Sequence, residues 1–555
     1  MSLFKDKLQF ILNHQKNTGI KVALFDNETK KIIGDLIQYS EFLKNDFFFF
    51  DTIDKNTSKS TSTPFTNITN KRISQISCLI IIRPTSLEFL IKELANPSYG
   101  EYTIFFTNQI TIDDLQIIAQ NDIHKIVKEI FEINLDVYKI DNNLYTVYPQ
   151  HIQFTLNKEK RIIEGIYSFL KNLNITPTIK YKTNRKNTFI SNLTQKLSNT
   201  NNNKGTLFIF NRNDDMITPL LHSWTYQSMI NEYLESKDKI IKYNNQIFTL
   251  INDEFFENNK FKDINEISNL LKEFINLTKT NTSHINTTHT NTSHTNTSHT
   301  NISHSNTEKY PKSTKINFFN INIDEIEKKN TLTESLEKHL VIYNHLINNC
   351  IKYKDISDFE YNILKNKIKP KLTKFINTPI SLKQIKEYTT TNYLSEEQTL
   401  KIILIHLLTK KSDIKEIEVY FKEYKEYITN FYTQYQVADK HNYKFKDNLD
   451  VKLSYIPPVY YTINKLLHNK LKNSYTTSDN ICDNIISDIS SNNINDNVND
   501  INIISNINTS NITSNNHINN TNLNNNILEP LIIYFDGGIT FYEYKIISEM
   551  LEDKK

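Results

Sequence analysis

Two stretches place acidic side chains where a phosphate or a metal ion could be handled. "LFDNET" sets Asp26 and Glu28 just past an apolar run, and "FNRNDDMITPLLHSWTYQSMI" sets Arg212, Asp214 and Asp215 just past another. The carboxyl ends of parallel strands are where open α/β sheets bind ligands. A magnesium phosphotransferase needs a carboxylate nucleophile there and a second carboxylate two residues on. Asp26 and Glu28 approximate that arrangement, whereas Asn211 and Asn213 in the second stretch cannot. The simpler reading of Asp26 is a cap, because Asp at such turns satisfies backbone donors. No phosphate-cradling loop accompanies either stretch. The chain has seven glycines, only Gly537 and Gly538 lie close together, and neither GxGxxG nor GxxxxGK can be built. GxSxG and HExxH are absent too, and Cys350 near His345 reads as core packing. The residues therefore predict no catalytic group, no metal site and no cofactor.

The elements that would position these groups are legible from periodicity. Between Lys21 and about Ile140, "KVALF", "CLIII", "TIFF" and "DVYKI" read as buried parallel strands. Two helices between them carry apparent capping boxes, Thr85 with Glu88 and Thr111 with Asp114. A further helix is expected to carry Ile123, Ile126, Val127, Ile130 and Phe131 on one face. "KRIIEGIYSFLKNL" and "TLFIF" open a second α/β segment. After "TLFIF", Thr218 is expected to cap a helix with Pro219 in its first position, Trp224, Tyr226 and Met229 lying on its apolar face. Arg212 is expected to pair with Asp214 or Asp215. From about Ile240 the pattern is mainly helical, and at the end "LIIYFDGG" is an isolated strand that must return to the earlier sheet.

Composition bounds the rest. At 555 residues the chain is long enough for several domains, yet only 38% of it is hydrophobic. "NTSKSTSTPFTNITN" reads as an exposed loop. The block 279–314, with histidines every five residues from His284 to His304, and the Asn-, Ser- and Asp-rich block 474–526 read as insertions that cannot offset the entropy of ordering. A five-residue spacing does not align imidazoles on a helix face, so the histidine repeat reads as disorder and not as a metal site. A net charge of +3 gives no single-signed field for nucleic acid. Three scattered cysteines fit a reducing compartment, and no apolar run reaches the roughly 18 residues of a membrane span. A cytoplasmic monomer with indirect membrane contact is expected.

The residues also carry a resemblance. "LFIFNRNDDMITPLLHSWTYQSMINEYL" closely resembles the signature of the SM family, the Sec/Munc-type regulators of SNARE-driven membrane fusion. "CLIIIRPTSLEFLIKELANPSYGEYTIFFTNQIT" is most similar to the vacuolar-protein-sorting branch of the trans-Golgi and endosomes, and "INDEFFENNKF", "EKHLVIYNHL" and "LIIYFDGGITFYEY" match further blocks in order. The endoplasmic reticulum to Golgi branch is one alternative, and a magnesium-dependent phosphotransferase using Asp26 and Glu28 is the rival from a different class. The resemblance implies an α/β plus α arch of three domains: an α/β domain 1 at 1–140, an α/β domain 2 at 141–230 completed by 527–555, and a mainly helical domain 3 at 231–473. It implies no catalysis, and as partners a syntaxin-type (Qa) SNARE and the assembled SNARE complex. By carry-over, Leu115, Ile118 and Ala119 on one helix and Val127, Ile130 and Phe131 on the next would line a pocket for the syntaxin N-terminal peptide. A hairpin at about 262–350 would template SNARE helices, with the histidine repeat at its tip. Arg212, Asp214, Asp215, Thr218, Pro219, Trp224, Tyr226, Gly537 and Gly538 would be structural. By the resemblance, the chain is expected to lack the family's final strand and helix.

Overall fold

A computed structural model describes residues 4–14, 19–53, 73–149, 157–182, 188–197, 203–237, 239–273, 275, 323–365, 380–410, 414–434, 444–445, 455–471, 475–477, 501–506 and 530–552. The loop around "NTSKSTSTPFTNITN", the histidine repeat and the hairpin tip lie outside the described residues. The chain forms two compact units, one of Met1–Pro219, Glu426–Asn442 and Pro457–Lys555 and the other of Leu220–Lys425 and Tyr443–Ile456.

The first unit contains two sheets. After helix α1 (Lys5–Asn13) come β1 (Lys21–Phe25), α2 (Asn27–Leu36), α3 (Tyr39–Leu43), β2 (Phe47–Thr52), β3 (Ile73–Ile82), α4 (Leu87–Ala95), β4 (Tyr99–Phe106), α5 (Ile112–Asn121) and β5 (Val127–Glu132). The strands form one parallel sheet in the order β2-β1-β3-β4-β5. The central runs of β1, β3 and β4 are apolar because both faces are covered: Val22, Ile80, Ile104 and Phe106 pack on one side, Ala23, Phe25, Ile81 and Phe105 on the other.

The second sheet is mixed. It comprises β6 (Tyr138–Asp141), β7 (Leu144–Tyr148), β8 (Ile175–Lys182) and β9 (Asn203–Asn211), with helices α6 (Lys158–Asn172) and α7 (Thr188–Leu197) in the connections. "DVYKI" thus belongs here, and it runs antiparallel to β7, not parallel in the first sheet. A two-residue link, Asn142 and Asn143, leaves no room for the crossover that a parallel pair needs.

The second unit begins with α8 (Tyr226–Tyr233) and the antiparallel strands β10 (Glu235–Lys237), β11 (Ile240–Tyr243) and β12 (Gln246–Thr249). Asn244 and Asn245, both at positive φ, form the tight β11–β12 turn. Then come α9 (Glu254–Asn259), α10 (264–273), α11 (Ile323–Lys365), α12 (Leu382–Thr391), α13 (Glu396–Lys410) and α14 (Ile414–Tyr420). Tyr226, Met229 and Ile230 of α8 meet Ile264 and Ile267 of α10 and Leu336, Ile342 and Leu346 of α11 in one core. "IKEIEVYFKEYKEYI" is broken by a 3-10 turn at Lys422–Tyr424, after which α15 (Lys425–Gln434) follows. The short pair β13 (Lys444–Phe445) and β14 (Tyr455–Ile456) belongs to the second unit, whereas α15 from Glu426 on and the following α16 (Pro458–Leu467) belong to the first.

The chain then re-enters the second sheet. Its full order is β15-β8-β9-β17-β16-β7-β6, where β15 is Tyr475–Thr477, β16 is Ile501–Asn506 and β17 is Leu531–Asp536. The Asn-rich block 474–526 is therefore not wholly an insertion. Its Ile-rich run "INIIS" supplies β16, which is hydrogen-bonded to both β7 and β17. The expected return of "LIIYF" is borne out, because β17 lies parallel to β9 and pairs Leu531–Asp536 with Thr206–Asn211. Helix α17 (Phe541–Glu552) follows.

Candidate functional site: the α5–β5 surface and the signature turn

The carried-over pocket residues lie at one edge of the first sheet. Helix α5 starts as expected: Thr111 Oγ1 accepts from Asp114 N, and the Asp114 side chain accepts from Thr111 N. The other expected capping box does not form. Thr85 sits in a 3-10 turn, Pro84–Ser86, because Ser86 is drawn to Asp26 and its hydroxyl donates to that carboxylate.

The second expected helix is also absent, since Val127–Glu132 is the edge strand β5. The misreading has a specific cause. A β-bulge at Lys128 shifts the register, so that Tyr102 pairs with Val127 and the next residue, Thr103, pairs with Glu129. One extra residue puts Val127 and Ile130 on the same face, and a spacing of three imitates a helix. The link from α5 is fixed by Asp122, whose carboxylate accepts from Ile126 N and Val127 N.

The strand divides the six candidate residues. Ile118 is buried and anchors α5 to the sheet, where Val127 and Ile130 pack partly buried on the same face. Leu115 and Ala119 are exposed beside Ile118, and Ile112 continues their stripe at 74% exposure. Ile123, in the connector, is 76% exposed. Phe131 is not part of this surface. It points through the sheet to the opposite side, stacked on Phe105 at 5.2 Å and touched edge-on by Phe10 and His14 of the α1 region. Ile112 is the member that sequence reasoning missed, and its exposure depends on which side of α5 meets the sheet; Ile123, expected on the face of a further helix, lies in the connector instead.

The acidic stretches resolve differently. Asp26 is the N-cap of α2: one carboxylate oxygen accepts from Thr29 N at 2.7 Å, the other from Arg83 N at 2.7 Å and Ser86 Oγ at 2.8 Å. Glu28 accepts from Arg83 at 2.8 Å, and both join a buried network of Asp136, Arg161 and Glu164. Burial, outweighing the attraction of Arg83 and Arg161, pushes the Glu28 carboxyl up to about 7. The crevice between β1 and β3 is where such a sheet order places a ligand, and here the protein's own Arg83 fills it. Neither carboxylate is left to act as nucleophile. Among the described residues no cluster of three or more His, Cys, Asp or Glu could hold a metal ion.

Arg212, at the end of β9, reaches the far end of the chain. Its guanidinium makes two parallel bonds to Glu543 on α17, at 2.8 and 2.7 Å, and donates to the carbonyls of Asp215 at 2.8 Å and Gly538 at 3.2 Å. Asp215 is a weaker partner at 3.5 Å, while Asp214 pairs with Lys182 instead. Asp215 accepts from the amides of Ile217 and Thr218 and from the Thr218 hydroxyl. Those bonds wind Thr218–Leu220 into a 3-10 turn, so Thr218 caps no α-helix and Pro219 does not start one. Helix α8 begins only at Tyr226, after Thr225. Gly537 and Gly538 both have positive φ, and a Cβ on Gly537 would lie 2.7 Å from Arg212 Cβ. Within the second unit, Trp224 Nε1 donates to Ser357 on α11 at 2.9 Å. The Tyr226 hydroxyl meets His339 Nδ1 at 2.9 Å, and His339 Nε2 meets Asp253 at 2.9 Å.

The pattern of two α/β sheets closed by a C-terminal strand, with an intervening helical unit, has matching counterparts. The model of the Sec1 family matches residues 21–555. The chain belongs to the Sec1 family. This is the family to which the SM resemblance pointed, and its α/β plus α fold is the one observed. The chain is 28% identical over 305 residues to Saccharomyces cerevisiae vacuolar protein sorting-associated protein 45, covering 49% of this chain and 50% of that protein. It is 27% identical over 288 residues to the Dictyostelium discoideum protein of the same name, covering 46% and 48%. The aligned region thus spans about half the length of these relatives. A solved structure of the SM protein Vps45 in complex with the Qa SNARE Tlg2 matches with a TM-score of 0.65 at 18% identity, over 86% of this chain and 89% of that one. Sly1p in complex with an N-terminal peptide of Sed5p matches at 0.59 and 15% identity, over 86% of each chain. No helix among the described residues is long and apolar enough to cross a membrane.

Proposed function

We propose that this Sec1-family chain is a regulator of SNARE-mediated vesicle fusion that binds a syntaxin-type (Qa) SNARE and promotes SNARE complex assembly in Golgi, endosomal and vacuolar transport. Its relatives named for vacuolar protein sorting and its structural likeness to SNARE-bound Vps45 support this reading. The observation that carries it is the exposed stripe of Ile112, Leu115 and Ala119 beside Val127 and Ile130, held on the rigid edge of a sheet. A peptide aromatic or leucine anchored there would form the small desolvated contact typical of hot-spot interfaces. On this reading the protein reaches Golgi and endosomal membranes peripherally, through its SNARE partner. Its domains depart from those the resemblance implies at the first boundary, which falls before β6 and not after residue 140, and α10 and α11 are the arms of the hairpin.

Isothermal titration of a Qa SNARE N-terminal peptide tests it. Low-micromolar binding, on the order of 8 kcal/mol, is expected. Leu115→Arg puts a charge on the apolar stripe at a position exposed in the fold, so binding is lost while the circular dichroism spectrum is kept. Unchanged affinity in that variant overturns the assignment of the surface.

A further inference from the structure

We propose that His222, held between Glu360 and Glu232, is a proton-operated clamp on α11, tight when the ring is charged and loosened when it is neutral. The geometry is that of a carboxylate on each ring nitrogen. His222 Nδ1 lies 2.7 Å from Glu360 Oε1, and the His222 backbone amide donates to the other oxygen of the same carboxylate at 3.1 Å. On the opposite side Nε2 faces Glu232 Oε1 at 3.6 Å. The ring lies near-parallel to those of Tyr353 on α11 and Tyr233 on α8, which stack on each other at 5.0 Å. Tyr361, also on α11, donates to the His222 carbonyl at 3.2 Å.

The burial of the partners makes the proton matter. Glu360 is fully buried, and a buried carboxylate needs a compensating charge or becomes costly. His222 is that charge. When it is neutral, Nδ1–H still bonds Glu360, but the compensation is gone and the Nε2 lone pair faces the Glu232 carboxylate. Glu232 is the more open partner, its side chain 29% exposed, and gives protons a way in. Of the other charged groups, Lys401 of α13 works against the charged ring, and Glu397, which pairs with Lys401, acts on Glu232. Burial also works against the charged ring, but the Glu360 hydrogen bond and charge and the Glu232 charge outweigh it and raise His222 above its usual value. The sign follows: the contribution to stability is complete below the unfolded histidine value of about 6.5 and is lost as pH rises through the higher folded value.

Two measurements on the full chain test the clamp. Histidine C2 hydrogen exchange, read by mass spectrometry, gives the His222 titration midpoint directly; a midpoint above about 6.5 is expected, and one below it overturns the proposal. Amide exchange of 353–365, corrected for the intrinsic effect of pH, is expected to show protection falling about threefold or more between pH 6 and pH 8.5, given that one pKa unit is a factor of ten. His222→Gln is expected to abolish that pH dependence, and Glu232→Gln to move its midpoint downward. Equal pH dependence in wild type and in both variants refutes the clamp, and so does wild-type protection that is flat with pH.

Discussion

Removing Glu543 should detach the end of the chain from the signature turn. Its carboxylate is fully buried, accepts both Arg212 bonds, and also accepts from the amide and hydroxyl of Thr540 at the start of α17. Breaking a buried pair by deleting one partner costs about 3–5 kcal/mol, because the other charge is left uncompensated. Arg212 would keep the carbonyls of Asp215 and Gly538 and the Asp215 carboxylate at 3.5 Å, which places the pair's loss near the bottom of that range. The amide and hydroxyl of Thr540 lose their acceptor, which adds about 1 kcal/mol, while Thr540 Oγ1 still accepts from the backbone amide of residue 543. A total near 4 kcal/mol for Glu543→Ala corresponds to a fall of roughly 8–16 °C in the melting temperature of a unit of this size. Near-ultraviolet circular dichroism follows the melt, and limited proteolysis should release a C-terminal fragment. The decisive comparison is the double variant Arg212→Met with Glu543→Leu, since an apolar replacement of a buried pair is often neutral. It should recover more than half the loss of the single variant. A loss below 1 kcal/mol for Glu543→Ala, or a double variant as poor as the two singles together, refutes the reasoning.

Other expectations follow from neighbouring geometry. Phe131→Ala should lower stability by about 2 kcal/mol by opening its stack on Phe105, yet leave peptide affinity unchanged, because the ring lies on the opposite face from Leu115; urea unfolding and titration separate the two. Gly537→Ala should cost about 1–3 kcal/mol, from positive φ and the 2.7 Å approach to Arg212, read as a lowered melting temperature. Burial opposes ionisation of Asp253, but hydrogen bonds from His339, Lys338 and the Phe256 amide hold its carboxyl well below the usual range. Its stabilisation is therefore complete above the unfolded value of about 4 and is lost as pH falls toward the lower folded value. Asp253→Asn should be less stable than wild type in melts at pH 7, with the gap narrowing below about pH 4.

How much of this was legible in the sequence depended on how local the determining interactions are. Strands β1, β3, β4 and β9 read correctly because burial on both faces leaves an unbroken apolar run. The Thr111–Asp114 box read correctly because its bonds close within four residues. The Thr85–Glu88 box and the Thr218 cap failed because partners outside the local pattern compete: Asp26, far away, takes Ser86, and Asp215 takes Thr218. β5 failed because a bulge changed its period. Of the buried network of Arg83, Arg161, Glu28, Asp136 and Glu164 only Glu28 stood out in the sequence, since the partners come from distant segments. In the candidate surface, Leu115, Ile118 and Ala119 rest on the resemblance, which could not place Phe131 on the other side of the sheet.

The bond between Arg212 and Glu543 joins residues 331 positions apart, and β9 waits for β17 over nearly the same interval. At about 5–20 residues per second, a ribosome needs roughly 15–70 seconds to make that stretch. Throughout that time the nascent chain carries the edge of β9 without the strand that will cover it, a template for wrong pairing. Synthesis arrested anywhere between the two strands would therefore release an aggregation-prone chain and not a smaller working module.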